Sequence, residues 1–131
     1  MSLSDANAHK ALETYFNSNW TATDKFFQEV PDFPSVRTEF VVFKVLWASS
    51  NAVSMADGAK YRTGVIVEIA INVPSRTGAR RAATLGDQVS SLFLGKQVEG
   101  IVFRDKMTHQ TEIGDWFRLV VSFNGYYTYQ S

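Results

Sequence analysis

Two histidines, thirteen acids, thirteen bases and no cysteine are the stock from which this 131-residue chain could build a reactive centre. His9 falls on a helical pattern and His109 in a polar stretch that reads as a hairpin loop. A Ser-His-Asp site or a His-rich metal site would have to be assembled around one of these two, and the ordinary reading is a pair of solvated imidazoles. Asp105 and Glu112 flank an expected turn, Asp57 lies in a loop, and Asp87 sits on a helix without a matching acid. Such scattered carboxylates read as solvated charge, not as an acid–base pair. Without cysteine there is no thiolate ligand, no thiol nucleophile and no disulfide. The residues therefore predict no catalytic group, no metal and no cofactor, and a protein that is not an enzyme.

Pro74-Ser75-Arg76-Thr77-Gly78 looks like a phosphate loop but lacks the Walker lysine and the Gly-x-Gly-x-x-Gly spacing. Its distinctive content is Arg76, Arg80 and Arg81, crowded at the start of an expected helix with no acid before Asp87. The helix dipole disfavours each cation there by about 0.3–1 kcal/mol, so helix stability does not ask for them. Either they reach acids on neighbouring strands, or they form ion pairs with another molecule, a task to which the bidentate guanidinium is suited. The second reading makes Arg76, Arg80 and Arg81 candidate interface residues. Asp57, Lys60 and Arg62, in and beside the small polar stretch 48–60, are candidates for a docking element.

The elements that would position these groups can be read from periodicity. Residues 4–19 carry Ala8, Leu12, Tyr15 and Phe16 at helical spacing, with Ser2 or Ser4 available as a cap. Thr21, Asp24, Pro31 and Pro34 make 20–34 an irregular, packed connection. Residues 35–47 read as a long strand, 48–60 as a loop, and 61–73 as a half-buried strand by the alternation of Val65, Val67, Ile69, Ile71 and Val73. Ala82, Leu85, Val89 and Phe93 mark a second helix that ends at Gly95. Residues 97–107 and 116–129 supply two more strands, with 104–115 read as a loop. The expectation is one α+β domain over 1–131: a two-layer sandwich of a mainly antiparallel four-stranded sheet with two helices on one face, in the order α-β-β-α-β-β. The run Phe123-Asn124-Gly125-Tyr126-Tyr127 is apolar on both faces, which points to self-association through a sheet edge or face.

Composition narrows the class. The chain is 45% hydrophobic and only 20% charged, enough to bury a core. Its net charge of zero removes the usual signature of a nucleic-acid or anionic-membrane binder. No run reaches the ~20 apolar residues of a bilayer span, and the opening MSLSDANAHK is too polar for a signal peptide.

In order and spacing the motifs resemble the phage tail terminator family, small proteins that cap the tail tube of long-tailed bacteriophages. The resemblance is carried by Tyr61-Arg62-Thr63-Gly64-Val65, Ile69-Ala70-Ile71-Asn72-Val73-Pro74, Gly78, and Leu85-Gly86-Asp87, where Leu-Ala-Asp would be usual. It closes with Gly114-Asp115-Trp116-Phe117 and Gly125-Tyr126-Tyr127. It covers the chain from about residue 36 onward, with the first helix also in its expected place. The resemblance implies a structural virion protein at the head–tail junction, assembled in the bacterial cytoplasm. Its implied partners are further copies of itself in a hexameric ring, the major tail tube protein, and a head-completion or connector protein. DNA would pass through such a ring without specific binding, and no membrane is involved. Two other readings stay open: another head–tail joining protein, or a carrier whose aromatics line a pocket for a small ligand.

Overall fold

The computed structural model describes residues 5–27, 38–52 and 60–130. The first element, α1 (Asp5–Asn19), forms because Ala8, Leu12 and Phe16 recur every four residues and fall on one stripe, where all three are fully buried. Its end is closed from outside: Lys25 Nζ donates to the carbonyls of Asn17 and Trp20 at 2.6 and 2.7 Å, where a cation also suits the negative end of the helix. Ser2 and Ser4, the expected caps, lie outside the described residues.

Six strands follow among the described residues: β1 (Asp24–Phe27), β2 (Phe40–Ala52), β3 (Lys60–Pro74), β4 (Gln97–Val98), β5 (Ile101–Ile113) and β6 (Trp116–Gln130). They form one mixed sheet in the order β1-β2-β3-β6-β5-β4, in which β1 runs parallel to β2 and every other neighbour is antiparallel. The sheet curls into a half-barrel. The expected four-stranded antiparallel sheet in the order α-β-β-α-β-β is thus corrected to a six-stranded mixed one in the order α-β-β-β-α-β-β-β. Two short strands make the difference. Residues 24–27 were expected to be an irregular connection, but they add to β2 with Asp24 opposite Phe40 and Phe27 opposite Phe43. Gln97 and Val98 fold back on Ile101 and Val102 through a turn at Glu99 and Gly100, both at positive φ.

The long strands also differ from expectation in extent. β2 starts at Phe40 and runs on to Ala52, and β3 begins at Lys60, so residues 48–52 and 60 of the expected 48–60 loop are strand; residues 53–59 lie outside the described residues. The expected 104–115 loop is strand up to Ile113, closed by a turn at Gly114 and Asp115.

Between β3 and β4 in the chain, α2 (Ala79–Phe93) enters through Gly78 at φ 90° and buries Ala82, Leu85, Gly86, Val89 and Phe93. These side chains meet the odd-numbered residues of β3 and β6, from Val65 to Val73 and from Leu119 to Phe123, in one core shared with α1. Its centre is aromatic. Phe16 stacks on Phe43 at 4.8 Å between centroids, and Phe93 lies 5.3 Å from Phe123 and 5.4 Å from Phe103. The opposite sheet face carries no helix among the described residues. On it Asn72 is fully buried and satisfied: it accepts from Arg118 Nε at 2.8 Å and donates to the Ala70 carbonyl.

Candidate functional site

Two stretches of sheet edge have no strand beside them among the described residues. β1 pairs with β2 only as far as Phe43, leaving 44–52 free on that side. β4 pairs with β5 only at Ile101 and Val102, and the Phe103 backbone is held by Gly95 and Lys96, leaving 104–113 free. Each stretch begins near or contains a register shift, Trp47/Ser50 in β2 and Phe103/Asp105 in β5. A bulge of this kind bends an edge and increases its twist. Unpaired edges expose alternating N–H and C=O groups that can template another strand.

Apolar exposure concentrates on the same two stretches. Of the four large hydrophobic side chains that stand exposed among the described residues, Leu46 and Trp47 are on the free edge of β2 and Met107, 68% exposed, is on that of β5. His109, expected in a loop, is an exposed residue of this β5 edge.

The arginines at the start of α2 divide in role. Arg81 reaches back to Glu39, its Nε donating to the two carboxylate oxygens at 3.1 and 3.0 Å and its Nη2 to Oε1. These hydrogen bonds hold Glu39 below the ordinary carboxylate value against the opposing effect of burial, with charge attraction adding to them. The same bonds raise the Arg81 pKa. Arg81 is therefore engaged within the chain, while Arg76 and Arg80 are exposed. Arg62 is exposed too, but far away. Arg62 and Pro74 are twelve residues apart on one continuous strand, roughly 40 Å at strand rise. The structure thus places Arg76, Arg80 and Arg81 at one end of the sheet and Lys60 and Arg62 at the other, so the six candidates do not form one patch. Lys60 opens β3 opposite Gln130, and Asp57 lies outside the described residues.

At its end of the sheet Arg62 lies over the ring of Tyr126 at 4.6 Å, and Arg104, from the strand on the other side of β6, approaches the same ring at 5.2 Å. Arg104 is the extra residue of the β5 bulge, since Phe103 pairs with Gly125 and Asp105 with Asn124. Nothing in the local sequence separated this arginine from its polar neighbours. The signal available was the length match between 101–113 and the strand after Gly114, which favours a hairpin over a long loop.

A shallow groove of about 420 Å³ runs between Ala6, His9, Lys10 and Glu13 of α1 and Trp47 of β2. His9 Nε2 stands 3.4 Å from Glu13 Oε2 there, one helical turn away. Among the described residues no group of three His, Asp or Glu side chains has the arrangement of a metal site, and no helix is long and apolar enough to cross a membrane.

No family model and no curated protein matches this chain. Sixteen solved chains match this one structurally, among them one that spans nearly the whole fold. That structure superposes with a TM-score of 0.57 at 17% identity, covering 96% of this chain and 92% of its own. The likeness is one of fold.

Proposed function

We propose that this chain is a ring-forming structural protein that caps the end of a phage tail tube, halts its growth and offers a surface for head attachment. DNA would pass through the ring without sequence-specific contact. The observation that supports this reading is the contrast between a closed core and an open sheet. The aromatics that a carrier would need around a ligand are spent on each other, in the Phe16, Phe43, Phe93, Phe103 and Phe123 cluster. Among the described residues, both flanks of the sheet, by contrast, end in long unpaired stretches that carry the exposed Leu46, Trp47 and Met107. Folded chains that leave such edges uncovered are poised to be completed by another chain.

Light scattering over a wide concentration range, with negative-stain images in the presence and absence of purified tail tubes, tests the proposal. The expected species is a ring of six 14.7 kDa copies, free or seated on tube ends. A chain that stays monomeric and leaves tube ends bare refutes it. Binding to a purified portal or adaptor instead of the tube would assign the chain to another head–tail joining role.

A further inference from the structure

We infer that copies of this chain join edge to edge, the free stretch of β5 in one copy (104–113) pairing antiparallel with the free stretch of β2 (44–52) in the next. The inference rests on the ring proposal for closure, but the pairing itself follows from strand direction. β2 is antiparallel to β3, β3 to β6, and β6 to β5, so β2 and β5 run in opposite directions on the two flanks of the four-strand block. A second copy added in the same orientation therefore sets its β2 antiparallel to the first copy's β5, and the alternation continues without a break. The interface is heterologous, with two different surfaces on every copy, as ring closure requires.

The free stretches are similar in length and carry complementary burdens. Leu46 and Trp47 stand exposed near the start of one, and Met107 near the middle of the other. Pairing β5 with β2 brings all three to a single seam, Leu46 and Met107 on one face of the sheet and Trp47 on the other. A twofold pairing of β5 with itself would leave Leu46 and Trp47 in water, and a twofold pairing of β2 would leave Met107 there. Overlap within the limits set by β1 and β4 places Ile113 opposite Lys44, Thr111 opposite Leu46 and Gln110 opposite Trp47, with Met107 farther along the same seam. The flanking strands fix where this can happen. β1 blocks β2 before Lys44, and the β4 turn blocks β5 before Arg104, so neither edge can slide into the other's covered half.

The absence of native cysteine makes the test direct. Lys44→Cys and Thr111→Cys place one thiol on the same sheet face of each edge, as diagonal neighbours across the seam, and a short bismaleimide tolerates a small error of register. Full-length single variants, mixed and treated, are expected to give the mixed 44–111 dimer well above either like-with-like dimer, and the double variant a ladder of higher multiples. Peptide mapping identifies the joined positions. Mostly 111–111 or 44–44 products, or no product at concentrations where scattering shows assembly, would overturn the pairing. The two proposals fail separately: a 44–111 ladder without closed rings sinks the ring, while rings without 44–111 products sink this pairing. Met107→Lys supplies an independent readout, with an expected loss of assembly of at least tenfold in concentration at an unchanged Tm; assembly equal to wild type would count against the interface.

Discussion

The ring of Phe103 lies against the backbone of Gly125, so closely that a Cβ at position 125 would stand 2.6 Å from Phe103 Cδ1 and 2.9 Å from the Val102 carbonyl oxygen. This contact sits beside the β5 bulge, and it lets Phe103 turn into the core against Phe93. Because one of the obstructing atoms is backbone, the clash cannot be relieved by a rotamer change.

Gly125→Ala is therefore expected to destabilise the fold by about 1–3 kcal/mol, the usual cost of forcing extra volume into a packed site. Urea unfolding measures it. In the Phe103→Leu background the cost of the same substitution should fall, because the smaller side chain frees part of the space.

The central rings should be the least replaceable. Phe93 meets Tyr15, Phe16, Phe43, Phe103 and Phe123 and is fully buried. Phe93→Ala should cost about 3–5 kcal/mol and lower Tm by many degrees, with Phe93→Leu intermediate.

The Glu39–Arg81 pair ties the segment before β2 to α2, yet the Arg81 side chain is 36% exposed and the pair is screened by solvent. Glu39→Gln should cost no more than about 1 kcal/mol at neutral pH. The folded pKa of Glu39 is depressed, so its contribution is complete above the ordinary value of 4.5 and is lost as pH falls through the lower folded value. The stability difference between wild type and Glu39→Gln, followed by denaturant unfolding, should be flat from neutral pH down to that range and shrink only below it.

Arg62 and Arg104 hold the Tyr126 ring between two strands from the exposed surface. Replacing either with Gln should cost about 0.5–1 kcal/mol, the worth of an exposed cation–π contact. Thermal unfolding of Arg62→Gln, Arg104→Gln and Tyr126→Leu measures the coupling; a pair of losses that simply add would show that the two arginines act independently on the ring.

What could be read from the sequence was what repeats. The alternation from Val65 to Val73 marks β3 and its buried face, and the spacing of Ala82, Leu85, Val89 and Phe93 marks α2. Asp24–Phe27 escaped because four residues carry no period and their partner strand is parallel and begins thirteen residues after β1 ends. The 104–113 edge escaped for a different reason: with solvent on both faces, Asp105, Lys106, Thr108, His109 and Gln110 have no inward side to advertise, and an open strand looks like a loop. The candidate site suffered in the same way. Arg76, Arg80 and Arg81 are adjacent in sequence, but only the tertiary fold brings Glu39, 42 positions from Arg81, into contact with one of them.

The two shortest strands set the slant of whatever the long ones build. β1 covers β2 at one end of the block and β4 covers β5 at the other, so the stretches they leave open are displaced along the strand direction by roughly five residues, about 17 Å. One copy contributes four long strands, about 19 Å across at sheet spacing. Copies joined as proposed cannot stand at equal height with upright strands. They close only if every strand leans by about 40°, inside the range at which sheets roll into cylinders. Six residues in β1 and β4 together thus act as register stops, and lengthening either one would change the pitch of the wall before it changed the fold of the brick.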